Sequence, residues 1–245
     1  MLYIVGSPIG NLRDISLRAL EVLRQVNRVA AEDTRRIRIL LNHYEIEKPL
    51  LSYHEFNEAK RTAEIIQYLE QGESIALVSD AGMPCISDPG FRLITRCQQN
   101  QIPFTVIPGA SAVTTALVGS GLPTDRFYYG GFLPNKSGQR ERELRAALQR
   151  EASSIFFESP YRLLKTLDAL NSLAPTCQIC VARELTKHFE EFRRGTVSTV
   201  REHFAAHPPK GEITLVIAPI DKKARERAEA TESAENQQEP GENQR

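Results

Sequence analysis

Leu2-Tyr3-Ile4-Val5 is a short apolar run closed by Gly6. After a turn-rich stretch, Leu17, Leu20, Leu23 and Val26 recur at helical spacing behind Ser16, a residue suited to capping a helix N-terminus. The pattern predicts a β-loop-α opening, and it repeats. Val29-Ala30-Ala31 leads into a helix from Asp33-Thr34, and Leu50-Leu51-Ser52-Tyr53 leads into a helix carrying Ile65, Ile66 and Leu69. Ile75-Ala76-Leu77-Val78 runs into a long loop, and Phe104-Thr105-Val106-Ile107 passes through Pro108-Gly109 into a helix over 111–120 stopped by Gly121 and Pro123. Strands alternating with helices imply a mostly parallel sheet.

A second alternating set begins at Arg126. It comprises a strand over 127–132, a basic helix over about 139–150, a strand at Ile155-Phe156-Phe157, a helix opened by Ser159-Pro160, and strands over 179–182 and 213–218. The expected architecture is therefore α/β in two domains, residues 1–121 and 122–220. Residues 221–245 hold 5 basic and 7 acidic side chains and no large apolar one, which reads as a disordered polar tail.

The 245 residues carry 31 Lys+Arg against 31 Asp+Glu, so a generically basic nucleic-acid coat is excluded and any anion-binding face must be local. No apolar run is long enough for a membrane span, and Met1 to Gly6 lacks the basic start of a signal peptide, so a cytoplasmic protein is expected. Cys85, Cys97, Cys177 and Cys180 are too few to staple a chain this long. Cys177 and Cys180 form a C-x-x-C, but with no second pair or histidine cluster a zinc site is incomplete, and the apolar Ile179 to Ala182 reads as a buried strand instead of a redox turn.

Ligands of parallel α/β sheets bind at the carboxyl ends of the strands, which directs attention to the loops there. They are Gly6-Ser7-Pro8-Ile9-Gly10-Asn11-Leu12, Glu32-Asp33-Thr34-Arg35, His54-Glu55-Phe56-Asn57, Ser79 through Gly90, and Pro108-Gly109-Ala110-Ser111-Ala112. The first has neither G-x-G-x-x-G nor a Lys-Ser/Thr, so phosphate cradling is not supported. Permissive glycine beside rigid proline in three such loops points to backbone brought close to a compact ligand.

Gly6 through Leu12, Glu32-Asp33-Thr34-Arg35 and Ser79 through Pro84 with Ser87-Asp88-Pro89-Gly90, together with Gly131-Phe132-Leu133-Pro134, Glu158-Ser159-Pro160-Tyr161-Arg162-Leu163 and Arg183-Glu184-Leu185-Thr186-Lys187, resemble the tetrapyrrole methylase superfamily, specifically its ribosomal-RNA branch, over roughly residues 2–217. The resemblance implies two α/β domains with S-adenosylmethionine in the cleft between them. It implies 2′-O-methylation of a cytidine ribose in the decoding region of 16S ribosomal RNA, as free RNA or within the small subunit, by a homodimer. On that resemblance Pro8, Ala81, Gly82, Met83, Ile86, Ser111 and Ala112 line the cofactor from the first domain, and Glu158 and Ile213 from the second. Relatives often carry Thr at Ser7 and Met83, and often continue into a helical extension where this chain has its polar tail; the second departure bears on RNA contacts alone.

A sulfonium cofactor calls for backbone groups and short polar side chains, and methyl transfer needs no metal. The work is alignment, plus a base or cation for the weakly nucleophilic hydroxyl. Lys187 is the first candidate, with Glu184 and Asp33 behind it; an ordinary surface pair of Lys187 with Glu191 is the plain alternative. Phosphate contacts fall to Arg35 and Arg36 and to a second basic group containing Lys136 and Arg140. A small-molecule tetrapyrrole methylase and a non-catalytic RNA-binding assembly factor are the competing readings.

Overall fold

The structure, a computed structural model, describes residues 1–219. The tail expected over 221–245 lies outside the described residues. The chain divides into two compact units, Met1–Ala116 with Arg183–Glu191, and Leu117–Ala182 with the residues from Phe192 onward. The sequence places a single break after residue 121; by contacts, a segment from the far side of that break rejoins the first unit.

The first unit holds β1 (Leu2–Val5), α1 (Leu17–Gln25), β2 (Arg28–Ala31), α2 (Thr34–His43), β3 (Leu50–Ser52), α3 (Glu58–Glu70), β4 (Ile75–Val78), α4 (Phe91–Gln99) and β5 (Phe104–Ile107), leading into α5 (Ala112–Ser120). Its sheet runs β3-β2-β4-β1-β5, with every pairing parallel. Successive residues of the central strands enter opposite cores. Val5, Ala76 and Val78 meet α1 and α2, whereas Leu2, Ile4, Ile75 and Leu77 meet α3 and α4. Burial on both faces is why these strands read as continuous apolar runs instead of alternating ones. Ser16 accepts a hydrogen bond from the Ala19 amide at the start of α1, and Asp33 from the Arg35 amide at the start of α2.

The second unit adds β6 (Phe127–Phe132), α6 (Ser137–Gln149), β7 (Ser153–Glu158), α7 (Leu163–Leu173), β8 (Gln178–Arg183), β9 (Glu191–Thr196), α8 (Val197–Ala206) and β10 (Ile213–Ile217). The sheet order is β6-β7-β10-β8-β9, and it is mixed: β6 runs parallel to β7, and β10 antiparallel to it. Ser159 and Pro160 do not open α7. They lie in a turn in which the Ser159 carbonyl accepts the Arg162 and Leu163 amides, each at 3.0 Å.

All four cysteines are free, with Cys97 and Cys180 buried and Cys85 and Cys177 half-buried. Burial pushes each thiol up to about 11. The C-x-x-C is therefore two strand-associated thiols, as its apolar surroundings imply.

Candidate active site

The crossover leaving β1 carries α1 over one face of the first sheet, while that leaving β4 carries α4 over the other. β1 and β4 are neighbours, so their carboxyl ends form a switch point where departing loops diverge and leave room for a ligand. The loops there are locked together. Ser7 and Gly82 exchange backbone hydrogen bonds, Ser7 N to Gly82 O at 2.9 Å and Gly82 N to Ser7 O at 3.2 Å. The Ser7 hydroxyl also donates to the Ser79 carbonyl at 3.1 Å.

At Gly6 the neighbouring loops take the space: a Cβ there would lie 2.6 Å from Met83 Sδ and 2.8 Å from the Gly109 backbone, so loop packs on loop. Gly82 is held at φ +81, a left-handed conformation that favours glycine. Pro8 is buried, while Ala81, Met83, Ser111 and Ala112 are half-buried and Ile86 is exposed. What the strand ends offer outward is small, uncharged and largely backbone.

Carboxylates surround this edge. Glu32 directly follows β2, and its carboxyl is raised by burial and by the Asp80 charge. Asp88 is pushed up to about 6 by burial and the charge of Glu32, against the lowering effect of a hydrogen bond from Ser79. Asp80 accepts the Asp33 amide at 2.9 Å and faces Arg36 at 3.5 Å. Asp33 differs in kind: the Arg35 side chain grips it at 2.7 Å and, with the Arg35 amide, lowers its carboxyl to about 2, making it a weak proton acceptor. His54 accepts from the Asn57 amide side chain at 3.0 Å through Nε2, which leaves the hydrogen on a buried Nδ1 with no protein partner. Glu32 and Asp88 sit in the loops singled out from the sequence, but only their burial distinguishes them from ordinary surface acids.

The segment Arg183–Glu191 brings Glu184 and Lys187 to the first loop. A Cβ on Gly10 would lie 2.5 Å from Lys187 Cγ and 2.8 Å from both Leu185 O and Thr186 Oγ1. Lys187 Nζ lies 2.8 Å from Glu184 Oε1, and Arg183 pairs with Glu191 at 3.0 Å. Glu184 and Thr186 both hold left-handed φ, 50 and 64, conformations that cost non-glycine residues energy and concentrate at functional sites.

In the second unit Glu158 and Ile213 are cross-strand partners, and both are buried. Glu158 accepts Thr166 Oγ1 at 2.6 Å, the Ser159 amide at 2.7 Å and Arg162 at 2.5 Å. That carboxylate is spent internally, and what these two positions can offer a ligand is backbone. Lys136 is exposed, but Arg140 is only 8% exposed and donates to the Asn135 carbonyl at 3.2 Å. Arg140 thus braces a loop and presents no guanidinium to a phosphate. Among the described residues no group of three His, Cys, Asp or Glu is placed to hold a metal, and no helix is long and apolar enough to cross a membrane.

The family model for tetrapyrrole (corrin/porphyrin) methylases matches residues 1–201. The chain belongs to the tetrapyrrole methylases. It is similar to the ribosomal RNA small subunit methyltransferase I of Thermotoga maritima, 49% identical over 89% of this chain and 97% of that one. The protein of the same name from Synechocystis is 48% identical over 89% of this chain and 78% of its own length. Solved structures with the same fold include diphthine synthase, TM-score 0.73 at 16% identity over 89% of each chain, and the uroporphyrin-III-C-methyltransferase of Thermus thermophilus, TM-score 0.62 at 21% identity over 93% and 97%.

Tetrapyrrole methylases use S-adenosylmethionine, and the first unit's strand ends suit it. No Lys or Arg occurs in 79–90 or 108–112, and the open groups there are small, with Glu32, Asp80 and Asp88 close by. A rim with carboxylates and no Lys or Arg in these two loops favours a sulfonium cation and disfavours a phosphate-bearing cofactor.

Proposed function

We propose that this chain transfers a methyl group from S-adenosylmethionine to the 2′-oxygen of a cytidine ribose in 16S ribosomal RNA, in the cytoplasm and as a homodimer. The observation that carries this reading is the Glu184–Lys187 pair, held on left-handed backbone against Gly10 beside the strand-end loops. The shared name of the relatives supports the substrate class. When bound, the cofactor supplies an electrophilic methyl group on a sulfur that leaves as a neutral thioether.

Pro8, Ala81, Gly82, Met83, Ile86, Ser111 and Ala112 would hold it. Lys187 donates a hydrogen bond to the ribose oxygen and offsets the negative charge that grows there as its proton departs. Glu184 fixes the ammonium and accepts that proton. Asp33, a weak acceptor in Arg35's grip, caps α2 and orients Arg35. Arg35, Arg36 and Lys136 meet phosphates, and Arg140 supports the loop before Lys136.

Lys187→Ala should lower methyl transfer to 16S ribosomal RNA by roughly 10²-fold, the scale of a positioned acid or base, with cofactor affinity unchanged by calorimetry. RNA carrying 2′-deoxycytidine at the target should accept no methyl group from the intact protein. Methylation of that deoxy substrate would overturn the ribose assignment, and full activity of Lys187→Ala would remove Lys187 from the reaction.

A further inference from the structure

The parallel pair β6 and β7 ends in two loops, and each presents a large aromatic side chain to solvent. Phe132, the last residue of β6, is 60% exposed, and Tyr161, in the turn after β7, is 93% exposed. Neither loop is loose. The Phe132 ring packs edge-on against Phe157 with centroids 5.4 Å apart. Arg162, next to Tyr161, donates to the Leu133 carbonyl at 3.1 Å, bonds the Asn135 side chain and pairs with buried Glu158. The residue following each aromatic is thus tied to the residue following the other.

Rings on rigid supports lose little freedom when covered, so exposing them to water is a cost that binding can recover. The elements that the two loops lead into carry exposed cations, Lys136 just before α6, Arg142 within it and Lys165 in α7, and no side chain caps the first turn of amides of α6. Apolar ring faces within a field of cations suit a polyanion that also has flat apolar faces to offer. Paired RNA presents phosphates but hides its base faces in the stack, whereas unpaired nucleotides present both.

We propose that Phe132 and Tyr161 form a stacking platform for unpaired nucleotides of the RNA substrate. This rests on the reading of the chain as an RNA methyltransferase, and it assigns the second unit the part of gripping single-stranded RNA around the target.

The test uses the full chain, a fluorescein-labelled single-stranded RNA of about 12 nucleotides, the same sequence as a duplex, and small ribosomal subunits from cells lacking the modification. Phe132→Ala and Tyr161→Ala should each weaken single-strand binding roughly tenfold and leave duplex binding alone. Both should raise KM for the subunit with kcat unchanged, and Tyr161→Phe, which keeps the ring, should bind as the intact protein does. Alanine variants that methylate and bind single strands normally would sink the platform and leave the methyl-transfer reading standing. Ring-dependent single-strand binding by a protein that methylates no ribosomal RNA would do the reverse. Loss of self-association in sedimentation, with RNA affinity intact, would mean that a second copy covers these rings, and would overturn the proposal.

Discussion

Gly10 has no left-handed φ, so alanine is conformationally acceptable there, and the objection to a side chain is space alone. A methyl group would press on Lys187 Cγ at 2.5 Å and on the Leu185 carbonyl at 2.8 Å, displacing the segment that carries Lys187. Gly10→Ala should therefore keep its fold by circular dichroism and lose tenfold or more in single-turnover methyl transfer, since displacements of an ångström can cost 10²-fold. Unchanged turnover would detach Lys187's position from the chemistry. Asp88 makes a pH-dependent prediction. Its folded value, about 6, lies above the ordinary 3.8, so the folded chain holds this proton more tightly than the unfolded one. The resulting stabilisation is present below pH 4 and is lost as pH rises through 6. Asp88→Asn removes the charge and keeps an acceptor for Ser79; it should stabilise the protein at pH 7.5 by about 1 kcal/mol, after allowance for solvent screening, and change little near pH 3.5. Thermal melts at the two pH values decide it, and an equal gain at both would assign the effect to something other than this proton. The sequence reveals at this scale which loops matter, but not the state of their side chains. Glu158 and Arg140 look like available charges until the structure shows partners on Thr166 and Arg162, and on the Asn135 carbonyl.

Among the elements, the first sheet was the most legible part. Four-residue apolar runs closed by Gly, Ser or Pro have few readings besides strands buried on both faces. The misses have definite causes. α4 is sharply amphipathic, with Leu93 and Cys97 buried four residues apart, but its stripe is short and follows the long Ser79 to Gly90 loop, so the segment reads as a continuation of that loop. β9 reads Glu-Phe-Arg-Arg-Gly-Thr on a sheet edge, where charge keeps neighbouring chains from adding on and hides the strand from a search for alternation. α8 carries a helical signal of its own, with Thr196 accepting the Thr199 amide and Val197, Val200 and Phe204 buried in register, but it is short and follows a charged strand that has no such signal. The antiparallel β10–β7 pairing was illegible because local pattern sets strand identity, while strand direction is set by contacts between residues more than fifty positions apart.

For the molecule as a whole, the return of Arg183–Glu191 to the first unit has no local sequence signature, since the segment reads as an ordinary polar connection. It also means that the first unit is not a continuous stretch of chain. A fragment ending at residue 121 should exchange its amide hydrogens over 6–11 faster than the intact protein does, having lost the cover that Leu185, Thr186 and Lys187 give Gly10. Equal protection by mass spectrometry would show that the loop orders itself. At this scale the fold narrows function little: proteins named for diphthine synthesis and for uroporphyrin methylation share it at 16% and 21% identity, and substrate must be argued from loops and surfaces. The cysteines have a practical consequence for probing those surfaces. Burial raises all four thiols, and Cys97 and Cys180 are closed to solvent, so none of the four competes well for an alkylating dye at neutral pH. The natural chain therefore offers a quiet background for site-specific labelling, and one cysteine introduced in place of exposed Phe189 would set a fluorophore two residues from Lys187 without first stripping the protein of its own sulfur.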